Sequence, residues 1–211
     1  MKQLLCAIAL CGLTGCSTIY YDTMEKFGVA KREIMADRVK AARTSQKEAK
    51  QEFANALEQF RSVVQFKGGS LEEEYNKLNA ALQRSERHAK AVKDRIDAVE
   101  DVSEALFREW KAELKQYTNA ALRRSSEQKL QDTRARYQQL MAAMRAAESR
   151  MEPVLQPLRE QVLYLKHNLN AQAIGALTDE LASVQSQVDR LVADMEKSIA
   201  EADAFIATLG E

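Results

Sequence analysis

The sequence predicts an all-α protein: an elongated up-down bundle of three or four long helices with coiled-coil-like packing. Three observations carry this. Apolar residues recur at alternating spacings of four and three through most of the chain, the period that lays a stripe along one helix face. Ala, Glu, Lys, Leu, Arg and Gln dominate the composition, as they do in long helices and coiled coils. Helix-stopping residues are scarce, with seven Gly and two Pro in 211 residues.

The first element is not part of the bundle. Lys2 supplies a positive start and Leu4 to Leu13 an apolar run, too short for a bilayer span of roughly 20 residues but suited to an export signal. The run ends in Leu13-Thr14-Gly15-Cys16, which resembles the bacterial lipobox, where the Cys is lipidated and becomes the mature N-terminus. An ordinary signal peptide containing a Cys is the alternative. All three cysteines, Cys6, Cys11 and Cys16, fall in this leader. The rest of the chain therefore has no disulfide framework and must be held by packing alone. The expected division is a leader over 1–15, a lipidated tether over 16–22 and one elongated helical domain over 23–210. By resemblance to lipoproteins, Ser17 after the Cys implies sorting to the outer membrane of a Gram-negative envelope, facing the periplasm.

The first helix is expected from about Thr23 to Phe66. Its seam is Met35, Val39, Ala42, Gln46, Ala49, Phe53, Ala56, Phe60 and Val63, repeating every seven residues. Lys67-Gly68-Gly69-Ser70 breaks it, and Ser70 with Glu73 forms a capping box for the second helix. Glu72, Glu73 and Glu74 suit the positive helix start. The second seam runs Leu71, Tyr75, Leu78, Leu82, Ser85, Ala89, Val92, Ile96, Val99, Ser103, Leu106 and Trp110, then Leu114, Tyr117 and Ala121 after an offset. Arg123-Arg124 would close that helix and Ser125-Ser126 with Gln128 cap the next, so a turn is predicted there, an unbroken helix being the alternative. The third seam is Leu130, Thr133, Tyr137, Leu140, Met144, Ala147, Met151, Val154, Leu158, Val162, Leu165 and Leu169. Pro153 and Pro157 inside it predict a kink near Glu152 or a helix boundary there. Asn168, Asn170 and Gly175 weaken the helix again, and Thr178 before Asp179-Glu180 is the expected cap. Leu181, Val184, Val188, Leu191, Met195, Ile199, Ala202, Ile206 and Leu209 make the last seam. At about 1.5 Å per residue the first two helices would be roughly 65 and 75 Å long, and the Gly-Gly turn makes them antiparallel.

Several stretches resemble one family, the bacterial lipoproteins catalogued as domain of unknown function 2959. They are Tyr20-Tyr21 with Met24-Glu25-Lys26, Gly28 and Lys31-Arg32; Ala105-Leu106-Phe107-Arg108-Glu109-Trp110 followed by Leu122-Arg123-Arg124-Ser125; Met151-Glu152-Pro153-Val154-Leu155; and Tyr164-Leu165-Lys166-His167-Asn168-Leu169-Asn170-Ala171. The resemblance spans the mature chain and implies a helical, exported protein without an assigned activity.

Function classes narrow by chemistry. Thirty-one basic and thirty-one acidic residues cancel, leaving no field to gather nucleic acid. His88 and His167 are the only histidines, short of the three or four converging ligands a zinc site needs. His88 belongs to a solvated face, as do Asp94, Asp97, Glu100, Asp101 and Glu104, which could otherwise hold a cation weakly. There is no phosphate loop or nucleophile elbow, so no catalytic, cofactor or metal residues are expected and the protein is read as a non-enzyme. Cys16 is the lipidation residue. Trp110, beside Phe107, and Tyr164 with His167 are the candidate partner contacts, each with packing as its ordinary role. Arg123-Arg124 could grip an anionic headgroup or peptidoglycan, although a helix C-terminus already accounts for them. The expected role is a structural or scaffolding coiled-coil protein of the cell envelope, tied to a membrane by its lipid (palmitate among the acyl chains), with a protein partner or self-association. The alternative is a module docking an envelope partner or lipid-like ligand at a bundle tip or the 164–177 segment. Pro153 and Pro157 with Met141, Met144 and Met151 motivate a lipid-like ligand, held between splayed helices.

Overall fold

The computed structural model describes residues 30–209; residues 1–29, where the expected leader and tether fall, and 210–211 lie outside them. Five helical segments run in order: α1 Lys31–Val64, α2 Leu71–Glu113, α3 Ala120–Ser149, α4 Met151–His167 and α5 Ala171–Leu209. No strand occurs among the described residues. α3 and α4 form one long helix bent at Arg150, so the architecture is a four-helix bundle running up, down, up and down. Each helix packs on its two neighbours around a ring: α1 on α2 and α5, and the bent α3–α4 arm on α2 and α5.

The first seam is the best-buried part of the molecule. All nine of its residues, Gln46 included, have 0% exposure. The alternation of Ala with Phe lets α2 and α5 approach closely at Ala42, Ala49 and Ala56 while Phe53 and Phe60 fill the space between. On α2, Leu78, Ser85, Val92, Ile96, Val99 and Ser103 are also fully buried, and the wider seam ends Leu71, Tyr75, Ala89 and Trp110 are half-buried against the core. Gln46 and Ser198 sit in one layer, the Ser198 hydroxyl donating to Gln46 Oε1 at 2.8 Å.

The first turn forms as expected. Gly68 and Gly69 have φ of 146° and 106°, a region open only to glycine at low cost. Ser70 then caps α2, its Oγ accepting from Glu73 N at 3.3 Å. The second turn lies elsewhere than predicted. α2 stops at Glu113, and the Asn119 side chain caps α3 by accepting from Ala121 N and Leu122 N. Residues 123–126 are therefore inside α3, and Tyr117 and Ala121 are exposed rather than on a seam. An Asn satisfies two orphan N–H groups at once, which Ser125-Ser126 would have had to compete with from within a formed helix.

The bend falls at Arg150, just before the predicted kink. Pro153 cannot donate to the Ser149 carbonyl and its ring crowds that turn, so the helix breaks for one residue and restarts at Met151. Pro157 stays inside α4. Arg150 bonds Asp194 of α5 across the outside of the bend.

The last boundary also moves. α5 begins at Ala171, with Asn170 Oδ1 accepting from Ala173 N at 3.0 Å. Thr178 is not a cap; its hydroxyl bonds the Ile174 carbonyl within the helix. Beyond Met195 the buried phase passes through Ser198, Ala202 and Phe205, at 0%, 0% and 2% exposure, instead of through Ile199 and Ile206, which are half-buried. A strict seven-residue repeat from Leu177 through Val184 and Leu191 leads to Ser198 and Phe205. Preferring the more apolar neighbour shifted the predicted stripe by one residue.

Candidate functional site

Each end of the bundle gathers part of the chemistry. At the end where α1 begins, Lys31 Nζ lies 3.1 Å from Glu109 near the close of α2. Trp110 is half-buried, and its indole N–H donates to Ser126 Oγ of α3 at 2.8 Å. Phe107 is buried, edge-on to Tyr137 with ring centres 5.3 Å apart, and the Arg134 guanidinium lies 5.2 Å from the Phe107 ring centre. Burial pushes the Tyr137 phenol up despite its bond to Ser103. A cleft of about 470 Å3 opens beside them, walled by Leu106, Trp110 and Leu209 and rimmed by Glu109, Lys129 and Arg136. Acids and bases mix around that rim, so it concentrates no single charge.

At the opposite end, α4 finishes with Tyr164, 41% exposed, and His167, also exposed. Asn168 closes the helix by donating from Nδ2 to the Tyr164 carbonyl at 2.9 Å. Leu163 and Leu169 are exposed here too, at 61% and 41%. The predicted contact residues thus divide between the two ends: Trp110 at one, Tyr164 and His167 at the other. Cys16 lies outside the described residues. Leu163 and, at the first end, Leu122 were passed over in the sequence because both fall out of phase with their seams. That misfit was a weak signal, since other apolar residues off the predicted stripes, such as Phe107, Met141 and Leu155, are buried.

The remaining candidates are structural in their surroundings. His88 Nδ1 is 3.8 Å from Glu48 and the ring is partly covered. Met141, Met144 and Met151 are core residues. Among the described residues no group of three His, Cys, Asp or Glu converges to hold a metal ion, and no helix is long and apolar enough to cross a membrane. The acidic face of α2 is engaged by bases. Lys90 pairs with Asp94 and Lys93 with Asp97 along the helix, while Arg145 of α3 reaches across to Asp97 and Glu100.

These bonds from Lys93 and then Arg145 hold the Asp97 carboxyl below the ordinary aspartate range. A carboxylate whose folded pKa is depressed adds stability above its unfolded pKa and loses it as pH falls through the folded value. The melting temperature should therefore drop as pH is lowered from the ordinary carboxylate range downward. The drop should be shallower in Asp97→Asn, and parallel curves for the two chains would remove Asp97 from the account. With the side chain well exposed, the effect is small.

No curated protein and no solved structure matches this chain. One family model does, over residues 20–209, and its description is protein of unknown function. The chain belongs to that family, DUF2959.

Proposed function

We propose that the protein is a lipid-anchored structural or scaffolding component of the cell envelope, held through Cys16 in the outer membrane and facing the periplasm. The observation that carries this is Leu13-Thr14-Gly15-Cys16 at the end of a short apolar leader, with every cysteine of the chain confined to that leader. Two or more acyl chains on one residue make an effectively permanent anchor at about 0.8 kcal/mol per buried CH2. The bundle suits a spacer. Its helices are long, its core is filled from end to end, and α2 alone, with 43 residues, runs about 65 Å. Labelled palmitate fed to cells should enter the wild-type chain and not Cys16→Ala. Equal labelling of the two would remove the anchor, and with it the envelope assignment.

A second reading, a module that docks an envelope protein, is favoured by the exposed Leu163, Tyr164 and Leu169 at the far tip. A photocrosslinker in place of Tyr164, activated in intact cells, should capture a protein other than the chain itself. Recovery of self-adducts alone would count against this reading.

A further inference from the structure

We infer that the end of the bundle carrying the α2–α3 turn is a second membrane contact, seating Tyr117 and Leu122 in the interface of an anionic bilayer with Lys115, Arg123 and Arg124 against its headgroups. The inference rests on the anchor at Cys16 and adds which end of the bundle meets the lipid and through which residues.

Every residue from 115 to 125 is exposed, and within that stretch Tyr117 and Leu122 hold 42% and 57% of their surface in solvent. Neither is part of the core or packed against it. Residues 114–126 contain three bases and no acid. This is a local excess, bounded by Glu113 and Glu127, in a chain whose charges sum to zero. Arg123 and Arg124 have lost the explanation the sequence offered for them. They stand in the opening turns of α3, which has no acid in its first turn, so the positive end of the helix repels rather than retains them. By contrast, α2 opens on Glu72, Glu73 and Glu74. Apolar and aromatic groups flanked by a local excess of bases are the surface chemistry of proteins that rest on an anionic bilayer.

Where the chain emerges selects the lipid as occupant. Ala30 precedes α1 at this same end, beside Glu109 and the close of α2. From Cys16 to Ala30 the chain spans at most about 50 Å. The far tip, with Leu163 and Tyr164, lies a whole α1 length beyond, 34 residues or about 51 Å. A bilayer holding Cys16 can thus touch Tyr117 and Leu122 with the tether slack. It reaches the far tip only with the tether drawn out fully along the bundle.

The test uses the full lipidated chain reconstituted into vesicles of phosphatidylethanolamine and phosphatidylglycerol. A single cysteine is introduced at one end, Leu122→Cys, or the other, Leu163→Cys, and labelled with a nitroxide. The mature chain offers no competing thiol, because Cys16 carries the lipid. The ratio of oxygen to nickel-complex accessibility should be several-fold higher at position 122 than at 163. It should fall toward the 163 value when Arg123→Gln and Arg124→Gln are combined. Equal ratios at the two ends, in a chain that floats with the vesicles, would overturn the inference and leave the anchor standing. A label at 122 shielded from both reagents would mean a protein contact and would overturn it as well. A chain that takes up no labelled palmitate overturns the anchor and this inference together.

Discussion

Replacing Phe53 by Asp is expected to cost the bundle about 4 kcal/mol or more, lowering its melting temperature by roughly 10–20 °C. Phe53 is 0% exposed at the middle of α1, between the Ala positions that admit α2 and α5. Truncating a buried Phe alone costs about 3–5 kcal/mol, and a carboxylate in its place must be desolvated without a partner or carry a proton. Against a total stability of about 5–15 kcal/mol, that is enough to populate the unfolded chain. Val99→Asp should behave in the same way, since Val99 is fully buried in the facing seam of α2. Glu73→Gln is the contrast. Ser70 bonds the Glu73 backbone N–H rather than its carboxylate, so this change should stay within about 0.5 kcal/mol. Thermal melts followed by circular dichroism would separate the three variants. Similar melting temperatures for all of them would mean that these heptad positions are not the packing surface.

The second expected result concerns the polar layer. Ser198→Ala should destabilise by about 1–3 kcal/mol, because it leaves the fully buried carbonyl oxygen of Gln46 without its 2.8 Å donor. Adding Gln46→Leu to that variant should restore or exceed the original stability, since replacing both partners by apolar groups removes the orphan. Gln46 Nε2 already lacks a partner among the described residues, which makes the wild-type layer costly to begin with. A polar residue at a seam position commonly sets helix register. The doubly apolar chain is therefore expected to be stable but less uniform, with broader elution and more than one mass in light scattering. If the double variant is as destabilised as Ser198→Ala alone, the hydrogen bond does not account for the cost.

Most of the packing surface was legible because a helix buried along one side needs a seven-residue repeat, and that repeat is local. The first seam needed no correction at any of its nine positions. The errors came where the deciding partner is distant in sequence. Ile199 and Ile206 are more apolar than Ser198 and comparable with Phe205, so composition favours them. Gln46, 152 positions away, gives Ser198 a partner that no local window contains. The α2–α3 turn was misplaced for a related reason. Arg123-Arg124 followed by Ser125-Ser126 has the composition of a helix end and a helix start, whereas a single Asn119 side chain makes the cap. Both Ser and Asn cap well, and only the place where α2 meets the end of the core chooses between them.

The two ends show the same division. Trp110, Tyr164 and His167 stand out by residue type, yet the sequence could not tell that the first is half-buried on Ser126 and the others are separated from it by the length of the bundle. Leu122 and Leu163 were not read as contact residues, although their exposure marks the tips. The sequence by itself determined the helical class, the antiparallel Gly-Gly turn, the cap at Ser70 and most of the core positions, though not buried neighbours such as Ile34, Leu57, Val102, Leu155 and Leu177, because caps, turns and heptads are written in residues close together along the chain. Tertiary structure alone decided the phase of the last seam, the true ends of α2 and α5's start, and which charged and apolar residues share an end. Those outcomes depend on which helix faces which, and at what height, and that is settled by packing between segments far apart in the chain.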